Sequence, residues 1–368
     1  MLREIYVRPA GLMAASVAKP ATEVRGGFRL AEGWLEFTAL DILERNGAGV
    51  DRRLAGLGEF FEKDWGRRTA NAADMFQNLM APRARIAGLS FDRPRLMGIV
   101  NVTPDSFSDG GAHDTTAAAI AHALQLAADG ADILDIGGES TRPGAKPVLL
   151  AEELGRVIPV IEGLAGRTTA LISIDTRKAD VMTRAAKAGV DLINDVSALM
   201  HDPGALDAVA AIDLPVVLMH ALGDPRTMQD APTYDHVLLD VFDFLEARIE
   251  ACRRAGIALN RLLVDPGIGF GKTLAHNLEL MAGLSLFHGL GCPLLVGASR
   301  KRFIGTISGV EAAADRVHGS VAAALAAVTQ GAQIIRVHDV KATRQALDVW
   351  MAAVTGKASE VRAGEARQ

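Results

Sequence analysis

From residue 98 to residue 111 the chain reads Gly98-Ile99-Val100-Asn101-Val102-Thr103-Pro104-Asp105-Ser106-Phe107-Ser108-Asp109-Gly110-Gly111. The apolar run from Arg95 to Val100 predicts a buried strand, which ends at Asn101 in a loop of Asp, Ser, Pro and Gly. A buried strand that delivers a polar side chain at its carboxyl end is how α/β proteins build binding sites. One such loop is equally typical of an ordinary turn, but this pattern returns after almost every later strand.

Eight strand-like runs alternate with helical patterns after residue 95. The strand-like runs are 96–100, 131–137, 171–175, 192–195, 216–220, 262–265, 294–297 and 334–338. The helical patterns cover 115–129, 152–164, 178–188, 234–255, 274–287, 312–330 and 341–354, with a short crossover near 203–211. Eight such units in roughly 250 residues are typical of an α/β protein with a (β/α)8 TIM barrel. A doubly wound sheet is the alternative, and the regular repetition favours closure.

Composition limits the classes of partner. The 368 residues are 49% hydrophobic with a net charge of −5. The first 90 residues hold 13 basic and 11 acidic side chains, against 26 and 33 in the remainder, so neither part resembles a nucleic-acid-binding arm. No apolar run approaches the roughly 20 residues that span a bilayer. The two cysteines, Cys252 and Cys292, are expected to be reduced and buried in a cytoplasmic protein.

The chain divides into three predicted parts. Residues 1–90 lack the strand–helix rhythm and are expected to form an N-terminal extension of unknown role, packed on the barrel or on a partner subunit. Residues 91–360 are assigned to the barrel, and 361–368 to a disordered tail. Within the extension the sequence predicts a hairpin strand at 28–37, a short helix at 40–45, an amphipathic helix at 54–65 and a linker at 81–85.

The strand ends carry two kinds of polar residue, which should meet at one rim of the barrel. Asp175, Asn194 and Asp265, with Met219, predict a cup for a flat polar heterocycle that has several N–H donors. Basic side chains at the mouth predict a place for phosphate or carboxylate groups; they are Arg142, Lys301, Arg336 and His338. Asn101 between the two groups suits a Mg²⁺ that bridges phosphates, because Mg²⁺ takes few protein ligands.

Each of these signals has a simpler structural interpretation. Asp175 alone could cap a helix, and Asp265-Pro266-Gly267 alone is a turn. His220 could be a core histidine, and a zinc role is disfavoured because no second His or Cys lies nearby. Gly271-Lys272-Thr273 imitates the end of a Walker A loop, but the motif requires Gly where Pro266 stands. No Ser-His-Asp or Cys-His arrangement stands out, which disfavours covalent catalysis.

Taken together, the motifs resemble one family. From about residue 95 to residue 354, roughly 70% of the chain, the sequence is similar to the dihydropteroate synthases. The matching segments occur in family order: 101–107 (Asn-Val-Thr-Pro-Asp-Ser-Phe), 139–144 (Glu-Ser-Thr-Arg-Pro-Gly), 174–176, 193–195, 218–220, 265–272 (Asp-Pro-Gly-Ile-Gly-Phe-Gly-Lys), 299–301 (Ser-Arg-Lys) and 336–339 (Arg-Val-His-Asp). Any one match would be weak, whereas eight in order are highly specific.

The resemblance implies a (β/α)8 barrel, a homodimer and a cytoplasmic transferase of folate biosynthesis that is a target of sulfonamides. The implied reaction condenses 6-hydroxymethyl-7,8-dihydropterin diphosphate with 4-aminobenzoate to 7,8-dihydropteroate and pyrophosphate, with SN1-like loss of pyrophosphate and Mg²⁺ as cofactor. The implied partners are these small molecules and a second subunit, without nucleic acid or membrane.

The resemblance also implies roles for individual residues. Those implied to hold the pterin are Asp175, Asn194, Met219, Asp265 and Lys301. Those implied to hold pyrophosphate are Asn101, through Mg²⁺, Arg336 and His338. Those implied to frame the aminobenzoate are Thr141, Arg142, Pro143, Phe270 and Lys301. The implied catalytic residues are Asp175, Lys301, Arg336 and His338.

Two positions depart from the family pattern. Leu222 stands where many relatives have Gln, and Arg302 stands where several have a serine that contacts the aminobenzoate carboxylate. The second change leaves the carboxylate contact open. Two alternative functions also remain: a pterin-binding methyltransferase that serves a corrinoid, and a pterin-binding paralogue without catalysis. The methyltransferase needs no pyrophosphate site, and the paralogue would be expected to have lost the loops after the first two strands.

Overall fold

The computed structural model describes residues 4–15, 27–46, 49–102, 112–140, 147–223 and 228–356. Within them the chain forms one eight-stranded sheet and two three-stranded sheets. The predicted tail at 361–368 lies outside the described residues, as do residues 103–111 and 141–146.

The two small sheets lie in the first 90 residues. Their strands are β1 (Ile5–Ala10), β2 (Met13–Ala14), β3 (Phe28–Arg29), β4 (Leu35–Phe37), β5 (Ala39–Asn46) and β6 (Gly49–Gly56), followed by helices α1 (Leu57–Glu62) and α2 (Thr69–Met80). One sheet has the order β1-β5-β6 and the other β2-β4-β3. The hairpin strand predicted at 28–37 is found as two short strands, since β3 and β4 pair antiparallel with Phe28 opposite Phe37.

The predicted helix at 40–45 is wrong, because these residues form the central strand β5. Leu40 to Leu43 are buried on both faces of that strand, so the alternation that marks a half-buried strand is missing. Asp41 is tolerated there because Arg8 pairs with it at 2.5 Å. The predicted helix at 54–65 is confirmed only for its middle part, α1, since β6 continues to Gly56.

The remainder alternates strands and helices. The strands are β7 (Arg95–Asn101), β8 (Ile133–Gly137), β9 (Leu171–Asp175), β10 (Leu192–Asp195), β11 (Val216–Met219), β12 (Leu262–Asp265), β13 (Leu295–Val296) and β14 (Ile334–Val337). The helices are α3 (Ala112–Ala128), α4 (Leu150–Leu164), α5 (Ala179–Ala188), α6 (Ala205–Ala211), α7 (Val237–Arg254), α8 (Leu274–Gly283), α9 (Arg302–Ser308), α10 (Val317–Val328) and α11 (Val340–Thr355). The sequence did not predict α2 or α9. Among the described helices, none is both long and apolar enough to cross a membrane.

The eight parallel strands curl into a nearly closed barrel. Neighbours in the sheet follow the order β12-β11-β10-β9-β8-β7-β14-β13. The remaining gap is spanned by a parallel bridge between Val264 and Leu294, and the amide of Val264 donates to the carbonyl of Pro293. This closure confirms the predicted (β/α)8 architecture over the doubly wound alternative.

Alternation along each strand divides the barrel interior into layers. The lowest layer is apolar and forms a core cluster of its own with Ile86 and Phe91; its strand residues are Met97, Ile133, Leu192, Val217, Leu263, Leu295 and Ile334. Two residues farther along, the same faces carry Asp135, Ser173, Asn194, Met219, Asp265 and Arg336. The barrel is therefore sealed by apolar side chains at one end and lined by polar ones toward the carboxyl ends of its strands.

The described part of the first 90 residues packs against the side of the barrel. The indole of Trp34 donates to the carbonyl of Val328, and the hydroxyl of Tyr6 lies 2.8 Å from a carboxylate oxygen of Asp243 on α7. Apolar residues of both parts belong to one continuous core cluster. Cys252 and Cys292 are both free and buried, as predicted.

Candidate active site

The polar cup predicted from the strand ends is present. Asp175, Asn194, Met219 and Asp265 end or nearly end four neighbouring strands, β9 to β12, and all four side chains are buried. Parallel strands bring their carboxyl ends to one rim, which is why residues 90 positions apart in sequence meet here. The cup combines two carboxylates, an amide and a thioether in a small space.

Arg336 lies lower than the sequence predicted. Instead of standing at the mouth, its guanidinium joins two carboxylates in the cup: Nε is 2.6 Å from Asp135, and the second contact is 2.7 Å to Asp175. The predicted separation of an acidic cup from a basic mouth is therefore wrong for this residue. Its position follows from alternation, since Arg336 is two residues after the inward-facing Ile334 of the apolar layer.

Asp135 is the residue of the cup that the sequence interpretation missed. Its side chain is 0% exposed, and one carboxylate oxygen receives hydrogen bonds from both Arg336 and Asn194, the latter at 2.9 Å. The other oxygen has no hydrogen-bond partner in the described part of the chain, and neither has the hydroxyl of Ser173 nearby on β9. The available signal was a carboxylate inside an apolar strand, where only a paired charge is tolerated.

Burial shifts the acid–base properties of these groups. Burial raises the pKa of Asp175, although the nearby charge of Arg336 acts to lower it. Burial also raises the pKa of Asp265, although the charge of Lys301 acts to lower it. Burial lowers the pKa of Lys301 to about 8, although Asp265 opposes the shift. For Arg336 burial favours the neutral form, but Asp135 and Asp175 outweigh it and raise the pKa. Strongly shifted groups clustered in a cleft are typical of functional sites.

Lys301 and Phe270 form the wall beside the cup. The ammonium of Lys301 donates to the carbonyl of Ile268 and lies 4.6 Å from the centroid of the Phe270 ring, a cation–π contact. The backbone between Asp265 and Phe270 turns at Gly267, where φ is +67° and a Cβ would lie 1.8 Å from the carbonyl oxygen of His220. Only glycine fits this turn, which explains its place after Asp265.

The ends of β13 and β14 are tied to each other. The hydroxyl of Ser299 is 3.0 Å from Nδ1 of His338 and accepts a hydrogen bond from its amide. Arg300 makes two hydrogen bonds to Asp339, at 3.0 and 2.5 Å. These contacts fix the His338 ring at the rim, two residues beyond Arg336 along the chain.

Asn101 ends β7 opposite Gly137, with a half-buried side chain. No cluster of three or more His, Cys, Asp or Glu that could hold a metal ion occurs in the described ranges. A metal at Asn101 would therefore draw the rest of its ligands from elsewhere, as suits an ion that keeps waters and binds phosphates.

Three predicted residues, Thr141, Arg142 and Pro143, lie outside the described residues. Glu139, which precedes these residues in the chain, is held in place by two contacts. Its carboxylate accepts a hydrogen bond from the amide of Val148 and pairs with Lys178 at 3.0 Å. His220 is a buried core histidine, stacked edge-on against Phe244, which is the simpler of its two interpretations.

The arrangement can bind a flat, polar molecule with an anionic tail. Asp175, Asp265 and the Asn194 amide offer acceptors for ring N–H groups, and Lys301 offers a donor for a ring carbonyl. His338 supplies a donor at the rim, and Arg336 supplies donors in the cup below it. No covalent step is needed for such a site to act, because a buried charge array can stabilise charge that develops on a bound substrate.

Comparison with protein families identifies one match. A family described as pterin binding enzyme matches residues 97–338, which is more than half of the chain. The match begins inside β7 and ends at His338, so it contains every residue of the cup and every rim residue named above except Asp339.

Curated relatives match over almost their entire length. The dihydropteroate synthase of Escherichia coli (strain K12) is 50% identical over 274 residues, which are 74% of this chain and 96% of the relative. The dihydropteroate synthase of Neisseria meningitidis serogroup B is 54% identical over 270 residues, which are 72% of this chain and 94% of the relative. About a quarter of this chain has no counterpart in these relatives.

Solved structures give the same result. Xanthomonas albilineans dihydropteroate synthase with 4-aminobenzoic acid is 57% identical with a TM-score of 0.70, covering 74% of this chain and 98% of that one. The same enzyme in complex with 7,8-dihydropteroate is 51% identical with a TM-score of 0.66, again covering 74% of this chain and 98% of that one. The Yersinia pestis dihydropteroate synthase in a sulfonamide drug complex is 53% identical with a TM-score of 0.69, covering 72% of this chain and 96% of that one.

Proposed function

The chain belongs to the pterin-binding enzyme family, and from this premise we propose that it acts as a dihydropteroate synthase, a transferase of folate biosynthesis. It joins 6-hydroxymethyl-7,8-dihydropterin diphosphate to 4-aminobenzoate and releases pyrophosphate. The observation that carries this proposal is the buried cup of Asp175, Asn194 and Asp265 inside the barrel, with the half-buried Lys301 beside it. Its donors and acceptors complement a pterin ring, and its carboxylates can offset positive charge on that ring.

The pterin takes the cup itself. Asp265 and Asn194 accept from its ring N–H and amino groups, Lys301 donates to its carbonyl, and Met219 forms an apolar side of the pocket. The buried floor, sealed by the apolar layer beneath, excludes water, so each of these hydrogen bonds acts in a low dielectric.

The diphosphate lies toward the rim, held by Arg336, His338 and Asn101. Arg336 can donate to an anionic oxygen while it keeps both carboxylate partners, because its bonds to Asp135 and Asp175 use Nε and one Nη and leave further N–H groups of the guanidinium. Asn101 would hold Mg²⁺ through its amide oxygen, a ligand type that suits this ion. When bound, Mg²⁺ supplies positive charge to the diphosphate oxygens.

The aminobenzoate is framed by Phe270 and Lys301 in the described part of the site. Thr141, Arg142 and Pro143 complete the frame from the loop after β8. Arg302, at the first turn of α9, is exposed and stands within reach of the same rim as Lys301. Guanidinium groups at Arg142 and Arg302 suit a carboxylate.

The reaction is a dissociative substitution. The C–O bond between the pterin methylene and the diphosphate breaks, and pyrophosphate departs with the electron pair. Asp175 offsets the cationic pterin that remains, while Arg336 and His338 stabilise the leaving anion. The amine nitrogen of aminobenzoate then bonds to the methylene carbon and loses a proton to solvent. Asp175, Lys301, Arg336 and His338 are the catalytic residues of this scheme.

We extend the proposal to the setting of the enzyme. Residues 1–90 form an extension, 91–360 the pterin-binding barrel and 361–368 a tail. The enzyme works in the cytoplasm as a homodimer, with Mg²⁺, and sulfonamides compete at the aminobenzoate position. A relative in complex with such a drug supports the last point.

A pyrophosphate-release assay tests the function. Protein, pterin diphosphate and Mg²⁺ are incubated with and without 4-aminobenzoate, and the product is identified by mass. Aminobenzoate-dependent dihydropteroate is the expected result. Arg336→Ala and Lys301→Ala should lower turnover by about a hundredfold or more without unfolding the protein. Pterin binding without product would instead assign the chain to the non-catalytic paralogues.

A further inference from the structure

The loop after β12 is held by an unusual row of side-chain hydrogen bonds. Four consecutive carbonyls each accept from a different side chain: Ile268 from Lys301, Gly269 from Gln229 at 2.7 Å, Phe270 from Lys272 at 2.9 Å and Gly271 from Tyr234 at 2.7 Å. Carbonyls in an irregular loop usually face water. Here they are satisfied from within the protein, which fixes the loop in one conformation.

Lys272 is the least expected of these donors. It is only 3% exposed, and its nitrogen lies 2.9 Å from Nδ1 of His220 as well as from the carbonyl of Phe270. No carboxylate pairs with it among the residues that the structure describes. Burial, and secondly Lys301, lowers the pKa of Lys272 well below its ordinary range. The catalytic scheme gives this amine no role, although burying it has a cost.

The partner of Lys272 also supports the loop from below. The carbonyl oxygen of His220 would clash at 1.8 Å with any Cβ at Gly267, and Leu222 would clash at 2.7 Å with one at Gly271. The loop therefore rests directly on the segment that follows β11. Lys272 bonds to the ring of His220 in this segment and to the loop above it, so it joins the two layers.

We propose that Lys272 is a positioning residue for the arylamine substrate: it fixes the carbonyl of Phe270 and so holds the Phe270 ring in place beside Lys301. This inference rests on the proposed function, because it assigns the position beside Phe270 and Lys301 to 4-aminobenzoate. The pterin ring contacts Asp175, Asn194, Asp265 and Lys301, and Lys272 is hydrogen-bonded to His220 and Phe270 instead. Loss of the Lys272 amine should therefore weaken the binding of 4-aminobenzoate and leave the binding of pterin diphosphate unchanged.

Lys272→Met tests this inference, because it keeps the apolar stem and removes the donor. We expect the KM for 4-aminobenzoate to rise about tenfold, the effect of one lost buried hydrogen bond. The Kd for pterin diphosphate should stay within about twofold, since the pterin contacts are unchanged. Lys272→Gln, which retains an N–H donor, should recover part of the KM. Lys187→Met, on the exposed face of α5, is the matched control.

A second measurement does not depend on catalysis. Hydrogen exchange at residues 266–273 should accelerate in Lys272→Met, because the carbonyl of Phe270 loses its donor. The melting temperature should change little, because the loss of two hydrogen bonds is offset by removing a buried amine that has no carboxylate partner. Equal losses for both substrates, or an unchanged KM with unchanged exchange, would overturn the inference. If Lys272→Met does not fold, Tyr234→Phe provides a second test, because it removes the hydrogen bond to the carbonyl of Gly271 in the same loop. It should likewise raise the KM for 4-aminobenzoate and leave the Kd for pterin diphosphate unchanged. A wild-type protein that forms no dihydropteroate contradicts the proposed function instead, and the exchange measurement still tests Lys272.

Discussion

Arg336 shows how much a single side chain in the cup depends on its neighbours. It lies between Asp135 and Asp175, and Asp135 also receives a hydrogen bond from Asn194. Removing one partner of such a buried ion pair leaves the other charge uncompensated, which is strongly unfavourable. Asp135 therefore sets the position of a catalytic arginine although it does not appear in the reaction scheme.

Asp135→Asn should lower kcat by about tenfold, because the amide keeps the shape of the carboxylate but not its charge-assisted bond to Arg336. Steady-state kinetics at saturating concentrations of both substrates measures this effect. Asp92→Asn is a suitable control, since Asp92 also pairs with an arginine but is 72% exposed. A kcat equal to that of the wild type would show that Asp135 does not position Arg336.

Lys301 should make the reaction sensitive to pH near 8. With a folded-state pKa of about 8, the ammonium is lost as the pH rises through that value, and activity should fall with it. Stability should change in the opposite direction, because above pH 8 the unfolded chain binds the proton that the folded lysine has lost. Lys301→Arg should shift the descending limb of the pH profile upward, as arginine stays charged. An unshifted limb would assign the titration to another group.

Among the secondary-structure elements, the barrel strands could be predicted and those of the extension could not. Each barrel strand is a short apolar run that ends in a polar residue, so β9 and β10 were located to the residue. Strand β5 has no alternation because both its faces are buried, and its sequence imitates a helix. Asp135 was missed for a related reason: it lies inside β8 rather than at its end, and only the register with β9 shows that it faces the cup.

Gly267 should be intolerant of a side chain at the end of β12. Gly267→Ala combines a left-handed φ with a clash against the backbone of His220, so we expect it to destabilise the protein by more than about 2 kcal/mol. Gly166→Ala has a similar φ of +70° but open space around it, and should cost about 1 kcal/mol. Denaturant unfolding measures both values. Equal costs would mean that the loop can move away from His220.

At the scale of the whole molecule, the extension and the barrel depend on each other. Their apolar residues share one core, and the sheet of β1 and β5 meets α7 through a polar network. Arg45 donates to Tyr6 at 2.9 Å and to Asp240 at 2.7 Å, and Tyr6 donates to Asp243. No feature of the sequence predicted this contact, because residues more than 190 positions apart form it.

This shared core predicts that the protein unfolds in one step. Arg45→Met removes the cation that joins the extension to α7 and leaves Asp243 uncompensated, so we expect a loss of about 1–3 kcal/mol for the whole chain. Two of the three tryptophans, Trp34 and Trp65, report on the extension by fluorescence, whereas far-UV circular dichroism reports mainly on the barrel helices. Both signals should shift together in the variant, as in a two-state transition. Arg253→Met, on the exposed face of α7, should shift neither. If fluorescence changed at lower denaturant than dichroism, the extension would be an independent unit, and its contacts with the barrel would add little to the stability of the site.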